Sequence, residues 1–143
     1  MSSLTPYKGR TASAGQRVKT YYNLHRGGYS VVAADGPDKG LVIAHAEELL
    51  LVEVTFVVSE AGRQRVIREK RKNVHAYAVG NLIASLPLDE GLYMDRCTRL
   101  HYNPYKLDSF YYIDDDGFRW QVHGAGVVYL NEHGCFGGEL THW

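Results

Sequence analysis

Six cationic side chains within ten residues, Arg63, Arg65, Arg68, Lys70, Arg71 and Lys72, make the densest charge feature of the chain, interrupted by Glu69. Long cations clustered in this way suit contact with phosphate or with an acidic protein surface. Asn73, His75 and Tyr77 follow directly as hydrogen-bonding or stacking neighbours. Read as a strand, the run puts Arg68, Lys70 and Lys72 on one face with Val66, and Arg65, Arg71 and His75 on the other. The same composition suits a solvated edge strand, where Lys and Arg discourage edge-to-edge pairing.

Tyrosine is over-used, with 11 residues that include the doublets Tyr21-Tyr22 and Tyr111-Tyr112 and the close pair Tyr102 and Tyr105. Strand alternation places one member of each doublet inward and one outward, beside Trp120 or Trp143. Tyr22, Tyr77, Tyr102 and Tyr105 are therefore candidate contacts, able to anchor a protein interface or to stack on bases. They would equally fill half-wet sheet faces. A contact of opposite sign is offered by the turn Asp114, Asp115 and Asp116, together with Asp108, which suits a basic surface such as a phosphate-binding channel.

Seven histidines invite a metal hypothesis that the spacing does not support. There is no Cys-x-x-Cys and no His-Glu-x-x-His, and the nearest pair of soft ligands is His133 with Cys135. Neither a metal site nor a cofactor is expected. His45 and His123 are expected as half-buried imidazoles, each bonded to a backbone carbonyl. Cys135 beside His133 lacks a third, orienting group, so nucleophilic catalysis has no identifiable constellation.

These side chains must be carried by a small chain. At 143 residues and 16.1 kDa, one compact domain or two very small ones sharing a core is expected. The longest apolar runs, Leu49 to Val52 and Val54 to Val58, are far short of a membrane span. Two cysteines are too few for a disulfide scaffold, and the first residues do not read as a secretion signal, so the setting expected is cytoplasmic. The neutral charge balance hides segregation: residues 1–75 carry 12 Lys or Arg against 7 Asp or Glu, and residues 76–143 carry 4 against 9. Opposite halves of +5 and −5 predict a basic and an acidic surface, and favour self-association or a partner of mixed charge. A pI near 7.1 argues against a general nucleic-acid coat.

Periodicity reads mostly as strand: Arg17 to Tyr22, Tyr29 to Ala34, Leu41 to His45, Leu49 to Ser59, Gln64 to Arg71, Val74 to Val79, Thr98 to Tyr102, Phe110 to Ile113, Phe118 to His123 and Val127 to Leu130. Turns are marked by Gly27-Gly28, Asp35-Gly36-Pro37, Glu60-Ala61-Gly62, Asp116-Gly117 and Asn131 to Gly134. Arg63 to Ala84 also has a helical composition, but the approach through Thr55 to Ser59 and Gly62 favours strands. The first ten residues read as a flexible arm and Ala84 to Gly91 as a connector. Laid against itself, the chain repeats: Tyr22, Asn23 and Arg26 match Tyr102, Asn103 and Lys106, and Ala44-His45-Ala46 matches Val122-His123-Gly124. The fold class expected is mainly β, or α+β with one short helix. It is built from two similar antiparallel β units, residues 1–84 with the basic strand and residues 85–143, more acidic, packed as one compact domain.

The stretches Gly62-Arg63 through Arg71-Lys72-Asn73-Val74-His75-Ala76, and Tyr102-Asn103-Pro104-Tyr105-Lys106 with Ser109-Phe110, resemble segments of small accessory proteins carried by bacteriophages and other mobile elements. The resemblance covers about half of the chain and brings no catalytic residues with it. It implies an accessory role, and phage proteins of this size are often counter-defence factors, anti-CRISPR proteins included, that work by binding. The leading expectation is thus a non-enzymatic inhibitor that binds a host defence protein or nucleoprotein complex inside a bacterial host. A nucleic-acid or nucleotide-binding β module is the alternative. A small nuclease or hydrolase using His75 or His123 as general base comes last, because nothing pairs a nucleophile with a base. A homodimer is the expected oligomer.

Overall fold

In the computed structural model, which describes residues 4–83 and 95–142, the chain forms ten strands and one helix among those residues. They are β1 (Thr5–Pro6), β2 (Arg17–Asn23), β3 (Gly28–Ala33), β4 (Val42–Ala46), β5 (Leu49–Val58), α1 (Glu60–Glu69), β6 (Ala76–Ile83), β7 (Thr98–Leu100), β8 (Phe110–Ile113), β9 (Arg119–Asn131) and β10 (Gly134–His142). All ten strands belong to one antiparallel sheet in the order β1-β4-β3-β2-β6-β5-β9-β10-β7, with β8 added to β9. The chain is mainly β, as its composition predicts. The expected connector Ala84 to Gly91 and the boundary at residues 84 and 85 lie outside the described residues.

One apolar core lines the sheet from β2 to β9, with Val18, Val31, Ile43, Leu51, Leu82, Val122 and Val128 almost fully buried. The sheet curls around it: Tyr29 on β3 donates to the carbonyl of Asn131 at the end of β9, 2.9 Å away. In β5 a left-handed residue, Glu53 with φ 53°, forms a bulge between Val52 and Thr55. The extra residue changes the alternation, so that Leu49 and Leu51 before it and Val54 and Phe56 after it all reach the same core. Leu50 points the other way and packs with Tyr129 and Phe136 in a second cluster. Strands β7, β10, β9 and β8 pair in turn, and a bridge between His101 and Tyr111 joins the end of β7 back to β8.

Two sequence expectations are corrected. Residues Gln64 to Arg71 are not a strand: Glu60 to Glu69 form α1, and Glu60-Ala61-Gly62 is its first turn rather than a hairpin connection. Ser59 caps the helix by accepting from Gly62 N, Glu60 pairs with Arg63 and Arg65 with Glu69, and Lys70 closes it at φ 59°. Local capping and i,i+3 and i,i+4 pairs outweigh the hairpin-like approach. Only Val66 is buried in α1, so the helix is a cationic surface element. Phe118 to His123 and Val127 to Leu130, read as two strands, are one, since Gly124 and Gly126 continue β9 instead of breaking it. A Cβ at Gly124 would strike the carbonyl oxygen of Val54 on β5.

The matched segments share local structure. Asn23 Oδ1 accepts from the backbone of His25 and Arg26, and Asn103 Oδ1 accepts from that of Tyr105. Arg26 and Lys106, the matched cations, each donate a backbone hydrogen bond to the carbonyl of their asparagine. Tyr22 meets Tyr29 at 5.4 Å between ring centroids, and Tyr102 meets Phe110 at 5.3 Å. The histidines do not correspond: His45 precedes the partner of Tyr29, Ala46, whereas His123 follows the partner of Phe110, Val122. His45 Nδ1 bonds Ser30 Oγ at 3.1 Å rather than a backbone carbonyl.

Candidate interaction surface

The helix α1 leaves the end of β5 and is followed by an irregular segment, Lys70 to His75, that returns to β6. Two of its members hold the protein together. His75 is 7% exposed, and its Nδ1 lies 2.7 Å from the Asn73 carbonyl, which can only accept, so Nδ1 carries the proton. Nε2 therefore accepts from Tyr102 Oη at 2.6 Å. Burial pushes the Tyr102 phenol up to about 12, against the lowering effect of the Arg63 guanidinium. With both ring nitrogens hydrogen-bonded inside the fold, His75 ties the start of β6 to the turn after β7.

Arg63 is also structural. Its Nε donates to the Pro104 carbonyl at 2.9 Å, and its Nη1 pairs with Glu60 at 2.9 Å. A hydrogen bond from Gln64, with the Arg63 charge, holds the Glu60 carboxyl below the usual range. Arg65 pairs with Glu69 at 3.2 Å. The remaining cations, Arg68, Lys70, Arg71 and Lys72, are exposed, and none has an ion pair among the described residues. A shallow cavity of about 260 Å³ lies among them, lined by Arg65, Val66, Glu69, Arg71, Lys72 and Asn73. Tyr105, 57% exposed, lies beside the end of α1, with Lys70 Nζ 6.0 Å from the ring centroid.

The basic run and Tyr105, far apart in sequence, thus meet at the surface, with Tyr102 turned inward to His75 beneath them. Other candidates lie elsewhere. Tyr22 is exposed but packs on Tyr29, and Tyr77 is half-buried under Lys19 Nζ at 3.9 Å with Tyr21 against its edge. In the acidic turn, Asp114 organises its own loop: Oδ1 accepts from Asp116 N and Phe118 N, and Oδ2 from Trp120 Nε1 at 2.7 Å. The Trp120 bond first, then the backbone bonds, hold its carboxyl below the usual range. Asp115, Asp116 and Asp108 remain exposed.

The aromatic surroundings of that turn were only partly legible. Ile113, Phe118 and Trp120 are all about half or more exposed, and Tyr112 Oη meets His142 Nε2 at 2.8 Å beside them. A cavity of about 470 Å³ is lined by Tyr112, Arg119, Trp120, Gln121 and His142. The available signal was apolar residues flanking an Asp-rich turn; His142 could not be placed because β10 has too many glycines to read as a strand. Cys135 does not form a nucleophilic site with His133, since burial first, and then the neighbouring Cys97, push its thiol up to about 12. Among the described residues no three His, Cys, Asp or Glu side chains group as metal ligands, and no helix is long and apolar enough to cross a membrane.

A curled antiparallel sheet bearing one cationic helix and an aromatic, acidic tip defines a small β protein with surfaces suited to contact. The comparisons agree with its phage character. The chain matches the family of the Mycobacterium phage L5 gene 82 protein over residues 11–138. It is 40% identical over 124 residues to the gene 82 protein of Mycobacterium phage L5, an alignment that covers 82% of this chain and 92% of that protein. The chain belongs to this phage protein family. No solved structure matches it. The two stretches that resemble phage-borne proteins touch each other, through Arg63 with Pro104 and His75 with Tyr102.

Proposed function

We propose that the protein is a non-enzymatic phage accessory factor that acts inside the bacterial host by binding, and that its target is a defence protein or nucleoprotein complex, in the manner of an anti-CRISPR inhibitor. The observation that supports this reading most is the surface of α1 and the segment after it. Arg68, Lys70, Arg71 and Lys72 are exposed side by side, without carboxylate partners among the described residues, next to the exposed ring of Tyr105. Uncompensated cations attract anionic partners and speed their encounter, and an adjacent aromatic anchor supplies contact area at low entropic cost. Asp115 and Asp116 offer the second contact, toward a basic surface.

The test is capture from host lysate with and without nuclease, comparing the native chain with Arg68→Glu/Arg71→Glu. A stoichiometric protein partner that survives nuclease and is lost with the double variant supports the reading. A partner held equally by both chains refutes the role of α1. The second reading, direct nucleic-acid binding, draws on Tyr105 lying among cations, where a base could stack while phosphates meet Arg68 and Arg71. It requires an affinity for labelled oligonucleotide that falls steeply with salt.

A further inference from the structure

Opposite charges that lie in opposite halves of the sequence do not end up at opposite poles of the protein. Strands β5 and β9 are antiparallel, with Thr55 opposite Gly124, so the last residues of β5 and the first of β9 leave the sheet at the same end. Helix α1 grows from the former and the acidic tip leads into the latter. Between them, Phe56 on β5 stacks on Phe110 of β8 at 4.5 Å, and the 103–107 turn is tied to α1 by Arg63. One end therefore carries the free cations of α1 and of the segment after it, the carboxylates of Asp115 and Asp116, and exposed Val74, Tyr105, Ile113, Phe118 and Trp120.

We propose that two copies of the chain meet at this end about a two-fold axis, Arg68, Arg71 and Lys72 of each facing Asp115 and Asp116 of the other, with the exposed apolar side chains buried between them. An isologous interface must be complementary to itself, and a surface with cations on one side and carboxylates on the other meets that condition when a copy is turned through half a revolution. A partner of a single charge sign would satisfy half of the surface and repel the other half. The segregation of +5 and −5 at zero net charge leaves no overall repulsion to prevent the pairing. The inference does not depend on the proposed function, with which it would compete for α1.

The test is sedimentation equilibrium of the full chain from low to high micromolar concentration. The mass is expected to rise from 16.1 kDa to that of two copies, and to fall back as salt is raised. Arg68→Glu/Arg71→Glu alone, and Asp115→Lys/Asp116→Lys alone, should each dimerise at least about tenfold more weakly, because both contacts of the homodimer then oppose like charges. An equimolar mixture of the two should recover the dimer, since one contact is native and the other has its signs exchanged. Circular dichroism of each variant separates lost pairing from lost fold. A native chain that stays a single copy, a mixture that fails to pair although both variants are folded, or growth beyond two copies would each overturn the proposal. These outcomes are read without any partner, so they stand apart from the lysate experiment.

Discussion

The imidazole of His75 accepts a 2.6 Å hydrogen bond from the phenol of Tyr102, joining two segments that are 27 residues apart and that both border the cationic surface. The bond is part-buried, and with the Asn73 carbonyl accepting from Nδ1 each partner depends on the other.

Tyr102→Phe keeps the ring that stacks on Phe110 and removes only the donor. Nε2 of the largely buried His75 then loses its protein donor, at an expected cost of about 1 kcal/mol in urea unfolding. Binding through Arg68 and Arg71 should persist at temperatures where the variant is folded. Because the Tyr102 phenol is raised by burial, the native state holds its proton more tightly than the unfolded chain. Stability from this group is therefore complete below the ordinary tyrosine value of about 10 and is lost as pH rises toward about 12. The native chain should show this alkaline loss in thermal melts, and Tyr102→Phe should lack its share of it.

Deletion of Glu53 tests the bulge. Without the additional residue, Leu49, Leu51, Val54 and Phe56 would alternate regularly and still share the core face, whereas Val54 would no longer stand opposite Ala125 and the rest of β5 would slip by one residue against β9. A cooperative unfolding transition should remain by circular dichroism, at a lower temperature, because half of β5 must find a new register on β9. Glu53→Gly, which keeps the residue count and suits φ 53°, should fold, with a change of about 1 kcal/mol or less because backbone relief is offset by the lost Asn81 hydrogen bond.

His45 gives a dependence at the acid side. Burial, with the Arg26 charge nearby, holds its imidazole below the ordinary value, and its buried Nε2 has no hydrogen-bond partner among the described residues. The unfolded chain thus takes up the proton first. Stability is full above about pH 6.5, the ordinary histidine value, and declines as pH falls below it. His101, lowered by burial and Arg99, adds to the same slope. Thermal melts across this range should show the decline, and His45→Gln should flatten part of it; an unchanged slope would count against the buried imidazole as its source.

Asp114 should matter for shape rather than for charge. Asp114→Ala removes the acceptor of three hydrogen bonds at the tip, one of them from Trp120. Trp120 fluorescence should shift to the red and its quenching by acrylamide should rise. Asp115→Ala should leave both unchanged.

The strands were largely legible because β-branched and aromatic alternation is a local property, and short apolar stretches between turn residues can bury themselves only as a sheet. The repeat of Asn23 and Asn103 was legible for the same reason, since an asparagine that bonds the backbone two residues ahead makes its turn wherever it stands. The cationic run was found as a run but assigned the wrong backbone, because six long side chains do not declare a period, whereas the Ser59 cap and the Glu60–Arg63 and Arg65–Glu69 pairs appear only once the segment is wound.

Sequence by itself determined the mainly β class, the charge segregation and the phage resemblance, each of which depends on residue types and short spacing. Tertiary structure alone decided which candidates keep a free surface. It took Arg63, His75, Tyr102 and Asp114 into internal hydrogen bonds and left Arg68, Lys70, Arg71, Lys72, Tyr105, Asp115 and Asp116 facing outward. It also brought the basic and acidic segments to one end, because the register of β5 on β9 is fixed by burial across the sheet and is invisible to local sequence.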